Sequence, residues 1–247
     1  MKCIYYDLRR AIAGRWFFAA LIATTVALYL SVGQATYGLI GYLESYELFE
    51  ENSFGYSMTD MLTMGMKGDF GLLTLPALSA LPFAAQALHE IKSGAIRPAV
   101  FRTGRKNWII GKAAGCVISG MLLQGAAVGL LFLILNGLTV AMIRQGFPWG
   151  EGGDFWPILL RRMLCGGIWA GVGCVIALAT ETASAAYLSP LCLCYALMMI
   201  GTRFFPDAAM LNPMQWMSGA TWFLVLLLVV TIAIQVLSLK RGVKRYA

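Results

Sequence analysis

Residues 89–112 read HEIKSGAIRPAVFRTGRKNWIIGK. The stretch carries His89, Glu90, Lys92, Arg97, Arg102, Arg105, Lys106 and Lys112. On one side lies GLLTLPALSALPFAAQAL (71–88), on the other AAGCVISGMLLQGAAVGLLFLIL (113–135). A helix crosses the hydrocarbon of a bilayer with about 20 mainly apolar residues. Both flanking runs are long enough, so the polar stretch between them is expected at one membrane face.

The rest of the chain agrees. Of 247 residues, 59% are hydrophobic and 13% charged, and the mean hydropathy is +0.72. A soluble domain carries about 25% charge. The composition therefore leaves no room for a large soluble domain, and one membrane domain over residues 1–247 is expected. A β-barrel calls for segments of about ten alternating residues rather than unbroken apolar runs. The fold class is an all-α polytopic membrane protein. Six segments are apolar enough to span: roughly 16–40, 70–88, 108–135, 163–181, 185–202 and 218–239. The fourth and fifth are separated by only Glu181–Ser184 and read as a tight hairpin.

Residues 2–14 predict a short helix ahead of the first span. Ile4, Tyr5, Leu8 and Ile12 share one face, with Asp7, Arg10 and Gly14 opposite. That pattern suits a helix lying in the membrane interface; the bland alternative is a polar extension of the span. No small-residue cleavage site followed by a soluble domain appears, so the first span is expected to be retained.

Charge fixes the expected orientation. With six spans both termini share a side. That side holds Lys2, Arg9, Arg10, Arg15, Lys92, Arg97, Arg102, Arg105, Lys106, Lys112, Lys240, Arg241, Lys244 and Arg245, which is 14 of the 19 basic residues. It holds only Asp7, Glu90 and Glu181 of the 12 acids. Basic residues near span ends mark the cytoplasmic face. The net charge of +7 is thus read as a topology signal, with no nucleic-acid partner implied.

The outer loops divide into three. Residues 41–69 hold Glu44, Glu47, Glu50, Glu51, Asp60 and Asp69 and read as a solvated acidic loop, or as a lure for cations. Residues 143–157 are rich in glycine, and Arg161 and Arg162 after them are expected to snorkel to headgroups. Arg203–Asp207 and LNPMQWM (211–217) are apolar and interrupted by proline. They are expected to dip back and pack on the last span, shielded by protein.

Groups for chemistry are sparse. His89 is the single histidine, and no His and carboxylate pairing offers a metal site. No Gly-x-Ser-x-Gly elbow or phosphate-binding loop ending in Lys-Ser/Thr occurs. Acids at mid-span, the usual parts of an ion relay, are missing. Catalytic residues, resident metals and resident cofactors are therefore not expected, and an intramembrane enzyme is disfavoured. All cysteines but Cys3 lie in apolar runs and read as small buried hydrophobes rather than disulfides. Small-residue pairs at spacing four (Gly111 and Gly115, Gly125 and Gly129, Gly167 and Gly171) permit close helix approach. Gln86, Gln124, Asn136 and Gln235 are expected to bond between helices or to line a path.

The opening stretch has an order of its own. Glu90 begins a polar turn, Gly94 follows four residues on, and Ile91 and Ala95 share an apolar face. A basic run then turns at Gly104–Lys106 and re-enters at Trp108-Ile-Ile-Gly111-Lys112. A short surface helix tied at both ends to spans acts as a lever. This pattern, with an interfacial N-terminal helix, six spans and short re-entrant helices before the last, resembles the permease subunits of the type-2 ABC exporter family. The resemblance covers the whole chain in layout. It implies a transmembrane permease in a bacterial cell membrane, with both termini cytoplasmic. It implies partnership with a second permease copy or a related permease, and with a separate ATP-binding cassette subunit that holds ATP and Mg. Glu90, Ile91, Gly94, Ala95, Arg97 and Arg102 take the coupling-helix positions by the match, and Gly111-Lys112 the start of the third span. Ala95 stands where the family often has Thr, and Pro98 falls inside the expected helix, predicting a short helix or a break at Arg97. The implied cargo is an amphipathic peptide, antimicrobial or drug. The competing reading is a non-transporting membrane scaffold or sensor subunit.

Overall fold

The computed structural model describes residues 2–44, 57–143, 150, 153–206 and 208–246. Among the described residues ten α-helices follow one another: α1 (Lys2–Ile12), α2 (Arg15–Glu44), α3 (Met58–Lys67), α4 (Asp69–Ala80), α5 (Gln86–Lys92), α6 (Ile96–Thr103), α7 (Arg105–Ile143), α8 (Phe155–Thr180), α9 (Ala185–Phe204) and α10 (Thr221–Tyr246). Two 3-10 turns, Ala209–Leu211 and Pro213–Met217, precede α10. Among the described residues there is no strand. Among the described residues, five helices are long and apolar enough to cross a membrane, within Arg15–Gly33, Arg105–Gly137, Phe155–Thr180, Ala185–Phe204 and Thr221–Lys244. The chain is an all-α, multi-pass membrane protein on this evidence.

The second expected span departs from a single helix. Over 70–88 the chain forms α4, a turn at 81–85, and then α5. Pro82 has no N–H to give to the carbonyl one turn back, and it crowds the residue before it. The chain tightens there, with Leu81 N–H bonding Leu78 O at 3.3 Å. Continuity through the bundle is nonetheless kept. Gly71 N–H bonds the Ser31 hydroxyl at 2.9 Å near one end, and Glu90 reaches Lys112 near the other.

At the centre of the bundle stands α8, which packs on α4, α7, α9 and α10. In its apolar window 61% of residues are buried, against 22% in α9 and α10, which leave apolar faces bare for lipid. The closest approach to α7 is made by Gly120 and Gly166. A Cβ on Gly120 would lie 2.5 Å from the Gly166 carbonyl oxygen, so only glycine fits. Of the spacing-four glycines, Gly167 and Gly171 also sit at close approaches, where a Cβ would lie 2.9 Å from Met121 and 2.7 Å from Thr231, whereas Gly129 meets nothing within 4 Å.

Three expectations for the predicted outer loops and their flanks change. Residues 57–67 are a packed helix rather than a solvated loop. Met58, Leu62 and Met66 repeat every four residues and are buried against Leu28, Val32 and Leu131. Ser57 caps α3 through a reciprocal box with Asp60, and the Ser57 hydroxyl and backbone N–H together hold the Asp60 carboxyl below its usual range. Glu47, Glu50 and Glu51, with Arg144 and Gly152, lie outside the described residues. Arg162 does not snorkel. It is fully buried, and its guanidinium donates to Gln124 Oε1 (3.1 Å), Met66 O (2.9 Å) and Gly71 O (3.0 Å). Arg161 also turns inward, to the Thr221 hydroxyl and Met217 O. α8 starts at Phe155, ahead of the expected 163. The apolar segment before α10 packs on α8, where Trp216 stacks on Trp169 at 5.8 Å and 16°. It meets the last helix edge-on, Trp216 against Phe223 at 6.2 Å, and the Trp216 indole N–H bonds Met210 O.

Candidate functional site

The polar stretch folds as two short helices around a glycine. α5 ends at Lys92, and Gly94 turns the chain with φ +73°, a left-handed conformation that side chains disfavour. α6 then starts at Ile96. Pro98 occupies its first turn, where no N–H is needed for the helix ladder. The break therefore falls at Gly94 and not at Arg97.

This turn separates the six expected coupling residues. Glu90 and Ile91 point into the protein; Ile91 is 4% exposed and packs in a cluster with Ile96, Trp108 and Val243. Gly94 is the pivot. Ala95, Arg97 and Arg102 are exposed, so Ile91 and Ala95 do not share a face. Beside Arg97 on the next turn of α6 stands Phe101, which is 93% exposed.

Glu90 is the hub of a charge cluster. Its Oε1 accepts from the Lys112 ammonium at 2.7 Å and from Arg10 at 3.3 Å, and its Oε2 accepts from the Trp108 indole N–H at 3.3 Å. Lys112 is buried and also donates to Asp7 Oδ1 at 2.6 Å. The ammonium lies 5.3 Å from the centre of the Phe83 ring, within reach of a cation–π contact. Two acids and two bases thus neutralise one another, and three parts of the chain, α1, α5 and α7, are tied together. Trp108 and Lys112 are four residues apart on α7 and present one face to Glu90.

The cluster corrects the reading of α1. Asp7 and Ala11 form its buried side, against α7 near Gly115, and Tyr5 is 63% exposed. The acid faces the protein, and the tyrosines face away from it. Two signals in the sequence pointed to this. Asp7 is the single acid in a basic N-terminal segment, and Lys112 is a cation seven residues into an apolar helix. A charge so placed calls for a partner.

Next to the cluster opens a groove of about 860 Å³. Its walls come from α1, the start of α2, the α4–α5 turn, α5, α6, α7 and Tyr187 at the start of α9. At the same end Arg105 donates to the Lys240 carbonyl, joining the start of α7 to the end of α10. The remaining polar groups lie deeper. Gln124 bonds Ser79 at 2.8 Å as well as Arg162, which makes it an interhelical bridge. Gln235 is buried on α10 against the Cys116 and Cys174 thiols. Among the described residues, no group of three His, Cys, Asp or Glu side chains gathers to hold a metal. No protein-family model matches the chain, and no curated protein matches it significantly.

Proposed function

We propose that the chain is the membrane permease subunit of an ATP-driven exporter of the type-2 ABC kind. In this reading α5–α6 is the surface that receives force from a separate ATP-binding subunit. One observation carries it: the surface segment is tied rigidly to two other helices by the Glu90–Lys112–Asp7 cluster while its outer face presents a bare phenylalanine. A push on α6 passes through Gly94 to α5, and from Glu90 to α7 and α1 together. Phe101, flanked by Arg97 and Arg102, has the form of an interface anchor, an aromatic side chain awaiting a pocket. A large apolar side chain at 93% exposure on a basic, water-facing helix is otherwise costly.

The interrupted pair α4–α5 serves as the sixth crossing. It joins the Ser31 end of the bundle to the Lys112 end. Both termini then lie on the basic, cytoplasmic side. The pathway forms against a second permease, and the cargo is an amphipathic peptide or drug leaving from the membrane. Energy comes from ATP and Mg held by the partner.

Phe101→Asp tests this reading. Co-purification of the chain with its ATP-binding subunit from membranes is expected to fall at least tenfold, since hot-spot truncations cost about 2 kcal/mol or more. The folded yield of the chain alone is expected to stay unchanged, because Phe101 buries nothing. Undiminished association of the variant, or the absence of any ATPase subunit with the wild type, would favour a scaffold or sensor.

A further inference from the structure

The groove beside the cluster keeps a charge that the cluster does not use. Its acids, Asp7 and Glu90, are matched by Lys112 and Arg10. Two more arginines, Arg15 and Arg102, also line it, and both are exposed. Among the described residues neither forms an ion pair. The groove is therefore net positive, while its floor is neutral.

Its position supplies a second constraint. Arg15 opens α2, the first spanning helix, and its guanidinium lies 5.8 Å from the Trp16 ring. Trp16 is 57% exposed. An exposed tryptophan beside an arginine at a span end marks the headgroup level of a bilayer. Above it on α2, Phe18 and Ile22 are 53% and 61% exposed. Trp16 and Arg15 line the groove, which places it at that level, and the exposed Phe18 and Ile22 continue α2 away from it as an apolar side.

We infer that this groove holds the phosphate headgroup of an anionic phospholipid from the inner leaflet, bound between Arg15 and Arg102, with its chains along Phe18 and Ile22. The phosphate supplies the charge that the two arginines lack, through charge-assisted hydrogen bonds. Since α1 and α6 both line the groove, the bound lipid bridges the interfacial helix and the segment proposed to meet the ATP-binding subunit. The inference rests on reading the basic end as the inner membrane face, but it requires no ATPase partner.

The test uses the full chain alone in mild detergent, titrated with dioctanoyl-phosphatidylglycerol, dioctanoyl-phosphatidylcholine or glycerol 3-phosphate, with the thermal unfolding midpoint as readout. The glycerol lipid is expected to raise the midpoint at lower concentration than the choline lipid, and glycerol 3-phosphate to leave it unchanged. Arg15→Gln and Arg102→Gln are each expected to weaken the response about fivefold, and about 25-fold together. Replacing Arg9 and Lys106, exposed basic residues outside the groove, with Gln leaves the preference intact. Equal response to the two lipids overturns the inference, as does full preference in the double variant. A response to glycerol 3-phosphate equal to that of the lipid overturns it in favour of a soluble phosphate site. The wild-type comparison decides even if the double variant does not fold. Loss of ATPase association with lipid preference retained defeats only the exporter reading.

Discussion

Lys112→Met is expected to destabilise the protein by about 3–5 kcal/mol, the cost of leaving a buried ion pair half made. The side chain is of similar length, so lost volume is a minor part. What remains is two carboxylates, Asp7 and Glu90, facing each other without the ammonium that lay 2.6 and 2.7 Å from them. Arg10 cannot replace it, because its side chain is 68% exposed and it meets Glu90 from the solvent side. The same physics gives a rescue. Asp7→Asn, Glu90→Gln and Lys112→Met combined remove every buried charge of the cluster, and a neutral set of similar volume is often as stable as the ion pair it replaces. The triple variant is expected to unfold within about 1–2 kcal/mol of the wild type. Thermal or denaturant unfolding in detergent measures both. A single variant as stable as wild type would mean that the cluster does not hold α1 to α7.

Arg162→Met is the second large loss, again about 3–5 kcal/mol, from three charge-assisted hydrogen bonds made in a fully buried site. The carbonyl of Met66 ends α3 and that of Gly71 begins α4, so one guanidinium holds both sides of the α3–α4 corner. A cation at a helix C-terminus is also favoured by the helix dipole. Arg162→Lys is expected to recover less than half of the loss. An ammonium is a single point of charge and cannot reach three acceptors set around a planar fork. Hydrogen exchange is the discriminating readout. Faster exchange is expected at residues 57–80 and not in α5 or α6. Uniform loosening of the whole bundle would contradict a local latch.

The two sites also show what the sequence could and could not disclose. Five of the six expected spans were legible because their signal is one of composition and length, while the one over 70–88 is interrupted at 81–85. The hairpin at Glu181–Ser184 was legible for the same reason: two apolar runs leave it no room, and Glu181 turns the chain with φ +55°. The α3 helix was not, because its acidic neighbours outweighed a stripe of three large apolar residues, Met58, Leu62 and Met66. Arg162 was misread because a charge near a span end looks the same in sequence whether it faces headgroups or a helix terminus from another part of the chain. Glu90 was found as a position in a pattern, but Asp7, 83 residues earlier, is brought to the same ammonium only by the packing of α1 on α7. Pro98 looked like the break in the surface segment. It is harmless in a first turn, and the glycine four residues earlier bends the chain instead.

The measurement that bears most directly on the account is site-specific photo-crosslinking in native membranes. A photoreactive residue at position 101 is expected to capture the ATP-binding subunit. The same probe at Leu226, which is 56% exposed on the lipid-facing side of α10, is expected to capture none. Failure of position 101 to capture an ATPase subunit, or equal capture from position 226, would contradict the assignment of α5–α6 as the surface through which the permease is driven.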